Sequence, residues 1–367
     1  MSKIKINTYE LFVLIVLFEL GSAIVVPLGG EAKQDVWLSI LLGMLGGFVL
    51  FFVYFRLFQY YPDKPFIGYI PEIVGAFFGR LIGMIYIIYF LYISARVLRD
   101  FGAFLVNSAY RETPLFTIML VMMVTIMYTI RNGFEVLARV GELLFIFTYF
   151  LFIIGAVFLL ASGAIDLNNL KPVLVENVSK VVQVAATETL YVPFGEMVVF
   201  TMILPYVDNG KKVKMGVVLA IALSGLSIAF AAAINVATLG TDITIRSTFP
   251  LLSTIQHIQV ANFLERLDVL FMITLIVGMF FKISIFFYGG LVGVASLFRI
   301  EETKQLVYPL GLIVLMVAMG IAGNFIEHIK EGLDFVPMYL HLPLQVIVPF
   351  ILFVFAFFQQ KRRSKTG

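Results

Sequence analysis

The sequence predicts an all-α integral membrane protein of about ten transmembrane helices. Three observations carry that reading. The 367-residue chain is 61% hydrophobic, with a mean hydropathy of +1.01. Only 13% of its residues are charged, against about 25% in a soluble domain. Apolar stretches of roughly 20 residues, enough to cross a hydrocarbon core, recur from one end to the other.

The spans fall at 8–28, 36–60, 79–109, 115–130, 136–162, 181–206, 212–239, 263–298, 305–325 and 340–359. Lys and Arg mark the cytoplasmic side of such spans. With the N-terminus inside, 16 of the 26 basic residues lie inside, 9 outside, and Lys282 within the membrane. Both termini are therefore expected on the cytoplasmic side. The first residues are not expected to be a cleavable signal, because no small-residue cleavage site follows the apolar run and further spans do. Three connections are more than turns. Residues 63–78 carry a short amphipathic piece expected on the inner surface. Residues 166–180 and 241–262 are longer outer segments, the second with a candidate capping helix at 249–258.

Composition also excludes. There are no cysteines, so disulfides, thiolate metal sites and cysteine nucleophiles are absent. The three histidines, His257, His328 and His341, lack the paired spacing of metal ligands. The net charge of +3 fits basic loops and ends, not a nucleic-acid surface. No phosphate loop, dinucleotide fingerprint, nucleophile elbow or HExxH occurs. Neither an enzyme, a metal nor a cofactor is expected.

Two spans are interrupted. The first opens with Asn7 and Glu10 at capping-box spacing. It then meets Glu19-Leu20-Gly21-Ser22, Pro27 and Gly29-Gly30. The sixth holds Tyr191-Val192-Pro193-Phe194-Gly195-Glu196. Pro193 removes a backbone donor, and Gly195 frees the chain to unwind. Gly and Pro are common in membrane helices, and either site alone reads equally well as a kink. The pair lies five spans apart, each member beside an acid. That matches an inverted 5+5 repeat, 8–162 and 181–359, within one transmembrane domain, 1–367. In such repeats broken helices mark a midplane site. Backbone unwound there needs a ligand, ion or water to satisfy it. The N-terminal end of a half-helix suits a carboxylate and the C-terminal end an ammonium, so a zwitterion fits.

Glu19, Glu196 and Lys282 stand inside apolar spans and are expected to face the interior and pair. Thr274, Gly278 and Lys282 share one face of span eight. Arg96 and Asp100 have the spacing of an i,i+4 pair near the outer interface; a gating Arg96 is the sharper alternative. Glu135, Arg139 and Glu142 read as a structural network, and Ser39, Gly43 and Gly47 as a helix-packing ridge.

Ala95-Arg96-Val97-Leu98-Arg99-Asp100-Phe101, Arg131-Asn132-Gly133-Phe134-Glu135-Val136-Leu137-Ala138-Arg139, Pro193-Phe194-Gly195-Glu196 and Phe263-Leu264-Glu265-Arg266-Leu267-Asp268 occur in this order. Over essentially the whole chain the sequence resembles the B subunits of bacterial spore germination receptors. That family resembles the amino acid–polyamine–organocation superfamily, with a LeuT-like fold. The resemblance implies a nutrient sensor in the spore inner membrane that binds a small germinant, most often an amino acid. It implies an A subunit and a C-subunit lipoprotein as partners. It also implies a ligand site at Gly21, Ser22, Ala23, Tyr92, Arg96, Val192, Pro193, Phe194, Gly195, Glu196, Thr274 and Gly278. Sodium-coupled relatives hold a cation between spans one and eight. Lys282 is expected to stand in for it, bonded to carbonyls near Gly21 or to Glu19. A proton-coupled amino acid permease, with Glu19 or Glu196 as proton carrier, is the alternative function, and a conduit for water or ions is a third.

Overall fold

A computed structural model describes residues 5–208, 212–256 and 267–366. Among them, eight helices are long and apolar enough to cross a membrane. They correspond to the expected spans two to five and seven to ten. The first and sixth spans complete ten, and they fall short because each is broken.

Helix α1 (Thr8–Ala23) begins on the expected capping box. The Asn7 side chain accepts from the amides of Tyr9 and Glu10, and Glu10 accepts from the Asn7 amide at 2.7 Å. Leu11 and residues 13 to 18 of α1 are fully buried, so α1 runs through the centre of the bundle. A helix apolar on all sides belongs there. Helices α2 (Val36–Tyr60), α3 (Phe66–Val74), α4 (Ala76–Ser108), α5 (Leu115–Asn132) and α6 (Phe134–Ala161) follow. The amphipathic piece is α3. Its Phe66, Ile67, Tyr69 and Ile70 are buried against α4, so it is packed into the protein rather than laid on an open surface. Its apolar face found protein to cover it.

Span six is mostly not α-helical. It comprises α7 (Asn177–Val184), a π-turn (Ala185–Thr189), a turn through Tyr191 to Pro193, and a 3-10 run (Phe194–Met202). The Val192–Pro193 peptide is cis. Helix α8 (Val213–Leu239) precedes two short helices, α9 (Thr241–Arg246) and α10 (Pro250–Gln256). The capping helix expected at 249–258 is seen as α10, and its last two residues lie outside the described residues. So does the start of span eight at 263. Among the eight long helices, α11 (Leu267–Phe298) is the most enclosed and α6 the least. Helix α12 (Val307–Gly320) ends five residues before the expected limit, and Asn324 caps a separate α13 (Phe325–Lys330). Span ten begins earlier than expected. It winds as π-helix over Glu331–Phe335 and Pro337–Ile347 before becoming α14 (Val348–Thr366).

The broken spans are tied together at both ends. At the N-terminal face Ile6 bridges Val207, with the Ile6 amide donating to Tyr206 O and the Asp208 amide to Ile6 O. At the opposite face the Gly29 amide donates to Glu188 at 2.6 Å. The Leu174 amide donates to Asp35, and Gln34 donates to Pro172 O. Lys33–Glu176 and Lys180–Glu31 ion pairs lie outside these.

Candidate functional site

The ridge on α2 proves to be the seat of span six. A Cβ on Gly43 would lie 2.6 Å from Thr189 O, and one on Gly47 would lie 2.6 Å from Phe194 Cβ. The Thr189 hydroxyl donates to Ser39 O at 2.6 Å. Small residues bring the irregular backbone close enough for α2 to supply an acceptor.

Beyond the break, Glu196 is buried and its Oε2 lies 2.5 Å from Lys282 Nζ. Lys282 is fully enclosed. It donates to Ser22 Oγ at 2.9 Å and stands over the Phe18 ring, 5.5 Å from its centre. The expected partners, Glu19 and the carbonyls near Gly21, are thus replaced by Glu196 and Ser22. Packing explains the change. The lysine stem lies on Gly21, where a Cβ would meet Lys282 Cδ at 2.8 Å. The ammonium therefore reaches past Gly21 to the next residue and across to span six. Gly278 abuts the Gly21 backbone. Glu19 instead meets Ser224 of α8.

Above this pair is a cavity of about 60 Å³, lined by Ser22, Val26, Arg96, Val192, Glu196 and His341 among others. At ~10–15 Å³ per water centre it has room for roughly four to six waters. Arg96 does not bond Asp100. It donates to His328 O at 2.6 Å and to Tyr92, and pairs with Glu331 at 3.4 Å. Asp100 meets His328 Nε2 at 2.9 Å, and Arg99 donates to Ala322 O. These α4 side chains turn outward to residues 322–331 because that segment presents carbonyls and a carboxylate over the cavity. Glu135 accepts from the Lys5 amide at 3.2 Å, and no ion pair joins Glu135, Arg139 and Glu142 among the described residues.

Of the residues expected at a ligand, the structure gathers Ser22, Arg96, Val192 and Glu196 around one cavity. Tyr92 donates to Glu331 beside it. Gly21 and Gly278 lie beneath, as packing. Ala23 lines a different cavity, with Pro27, Lys33 and Asn235. Thr274 lines an apolar one, with Phe152 and Phe271. Phe194 is fully buried on α2.

Sequence reasoning missed a polar chain behind the cavity. Gln345 Nε2 donates to the Tyr89 hydroxyl at 2.8 Å, and that hydroxyl lies 2.8 Å from His341 Nδ1. Tyr54 donates to Gln345 O at 2.6 Å, with Gly195 O at 3.2 Å as a second acceptor. A signal existed: His341 and Gln345 are four apart in an apolar span, on one helix face.

The sequence profile described as "Spore germination protein" matches residues 5–326. The chain is 46% identical over 366 residues to spore germination protein KB of Bacillus subtilis (strain 168), covering 100% of this chain and 98% of the relative. It is 23% identical to spore germination protein YndE of the same organism, over 94% of this chain and 96% of the relative. Among solved structures, MhsT in complex with L-phenylalanine has a TM-score of 0.68 at 15% identity, covering 93% of this chain and 87% of that one. Mhp1, a nucleobase-cation-symport-1 family transporter in a closed conformation with bromovinylhydantoin bound, has 0.71 at 11%, covering 96% and 78%. These two give the fold, an all-α LeuT-like membrane architecture. With the profile matched over most of its length and a full-length relative at 46% identity, the chain belongs to the spore germination protein family.

Proposed function

We propose that this chain is the nutrient-sensing membrane subunit of a spore germinant receptor. Its ligand is a small zwitterion, foremost an amino acid, held between the two broken helices. The observation that carries this reading is the cavity itself. It joins Ser22 of span one to Val192 and Glu196 of span six under Arg96. A ligand carboxylate meets Arg96, and its ammonium meets Glu196 and the unwound backbone. The cavity's volume of about 60 Å³ favours the smaller amino acids. Arg96, Tyr92 and Glu331 form its gate. Lys282 supplies a fixed cation between spans one, six and eight, which suits a sensor that needs no sodium. The two halves, 8–162 and 181–359, act as inverted repeats about this point. The chain works in the spore inner membrane, termini on the core side, with an A subunit and a C-subunit lipoprotein. A proton-coupled amino acid permease is the second reading, favoured by the buried carboxyl of Glu19.

The test is a thermal-shift screen of the purified protein against amino acids, sugars and nucleosides, followed by uptake in proteoliposomes. A ligand at 100 times its Kd stabilises by about 2.7 kcal/mol. Small amino acids should shift the midpoint, and Arg96→Gln should lower their affinity at least tenfold. Shifts from sugars or nucleosides alone would sink the ligand class. Saturable uptake by the isolated chain would replace the sensor with the permease.

A further inference from the structure

Glu19 lies one helical turn below Ser22 on α1, away from the ligand cavity, and no solvent reaches it. Its Oε2 meets the Ser224 hydroxyl, and its Oε1 faces no hydrogen-bond partner. Ser224 Oγ also lies 2.8 Å from Ala220 O and 3.2 Å from Ile221 O of its own helix. A serine hydroxyl has one hydrogen and two lone pairs. Three oxygens therefore compete for a single hydrogen.

Charge sets the same problem. Three ionisable side chains meet inside this part of the bundle: Lys282 from α11, Glu196 from the 3-10 run, and Glu19 from α1. Helix α6 adds the Tyr149 hydroxyl, which lies 3.1 Å from Ser227. Helix α8 faces Glu19 with Ser224. Lys282 is within ion-pair distance of Glu196 and not of Glu19. An ionised Glu19 would thus be a dry carboxylate with one contested donor and no cation. Groups so placed are neutralised, because an unpaired buried charge costs far more than a buried neutral group.

We propose that Glu19 is a proton-binding site and that the bound proton is a second ligand of this chain. With the proton on Oε2, Glu19 donates to Ser224 Oγ. Ser224 then gives its own hydrogen to Ala220 O, the back-bond that serine commonly makes inside a helix. Each hydrogen has one acceptor, and the Lys282–Glu196–Glu19 cluster is neutral. The site also sits where it can report. Glu19 and Ser22 are three residues apart on one turn, so a tilt of that turn that remodels Ser22 in the cavity also parts Glu19 from Ser224. Proton and cavity ligand are then thermodynamically linked, each altering the other's affinity by the same factor. This linkage rests on the cavity reading above; the proton site itself does not.

Infrared spectroscopy of the purified protein in liposomes at neutral pH tests the site without any ligand. The carbonyl stretch of a protonated carboxyl should be present in the parent protein and lost in Glu19→Gln. Ser224→Ala, a mild change, removes the acceptor and should move the same band to higher frequency. A parent spectrum with no such band, or one that Glu19→Gln leaves intact, overturns the proposal. So does a band that Ser224→Ala fails to move.

Discussion

The two broken helices, spans one and six, are built differently. Span one is an ordinary helix of 16 residues, capped at its start, that ends at Ala23 and turns once. Its backbone is satisfied largely from within: the Ile24 amide donates to Leu20 O, and the amides of Val25 and Val26 donate to Ser22 O. Span six passes from π-turn through a proline to a 3-10 run of nine residues. Such runs seldom exceed three or four residues. This one persists because all nine are buried and its neighbours bind it: α2 through Gly43, Gly47 and Ser39, and span ten through Gln345. Span one carries its own geometry, whereas span six borrows its geometry from α2 and span ten. Mutations should expose that asymmetry.

The largest effect is expected where the two spans meet. Lys282→Met leaves Glu196 buried without a partner, and breaking a buried pair costs about 3–5 kcal/mol. The double variant Lys282→Met/Glu196→Gln removes the stranded charge and should recover most of that loss, as read from unfolding midpoints in detergent. A double variant as unstable as the single one would mean that the ion pair is not the joint. Next is Gly43→Ala, whose Cβ would meet the Thr189 backbone at 2.6 Å. Overpacking of this kind costs about 1–3 kcal/mol. Gly46→Ala on the same helix meets only the tip of Leu190 and should cost less. Equal costs for the two would mean that span six does not depend on the ridge.

Much of this arrangement was legible in the sequence. Pro193 and Gly195 break span six because of their own backbone chemistry, and Asn7 and Glu10 announce the start of span one. The three intramembrane charges stand out against apolar spans. Pairing was not legible. Whether Lys282 meets Glu19 or Glu196 depends on the rotation of three helices and on a stem laid across Gly21. Arg96 and Asp100 have a pairing spacing, yet each finds a better partner at His328 and Glu331, more than 200 residues away. The π-winding of span ten has no local signature, and it is what turns His341 and Gln345 toward Tyr89. The family resemblance implied ligand positions at Ala23 and Thr274, and rotation sends both to other cavities.

A smaller effect tests the support from span ten. Tyr54→Phe deletes the hydroxyl between Gln345 O and Gly195 O. One lost hydrogen bond costs about 1 kcal/mol. It should also loosen span six selectively, seen as faster amide exchange near Gly195 than near Ser22. Equal loosening of both would erase the asymmetry.

The smallest effect is expected at the face opposite the N-terminus, where the broken spans are joined by groups of two kinds. The Gly29 amide bond to Glu188 is sheltered, whereas the Lys33–Glu176 pair is exposed. The Lys33 ammonium holds the Glu176 carboxyl below its ordinary range, and Glu176 raises Lys33 above its own. The pair therefore contributes between the two ordinary ranges. It fades as pH falls through the depressed carboxylate range or rises through the raised lysine range. Exposed pairs are also screened by salt. Amide protection factors in residues 30–35 should therefore fall slightly in molar salt or at acid pH, and Glu176→Gln should remove the salt response. The Gly29 amide itself should stay protected in molar salt. If it opened along with the ion pairs, the joint would be electrostatic throughout, and span six would be held at that face no more firmly than its surface charges allow.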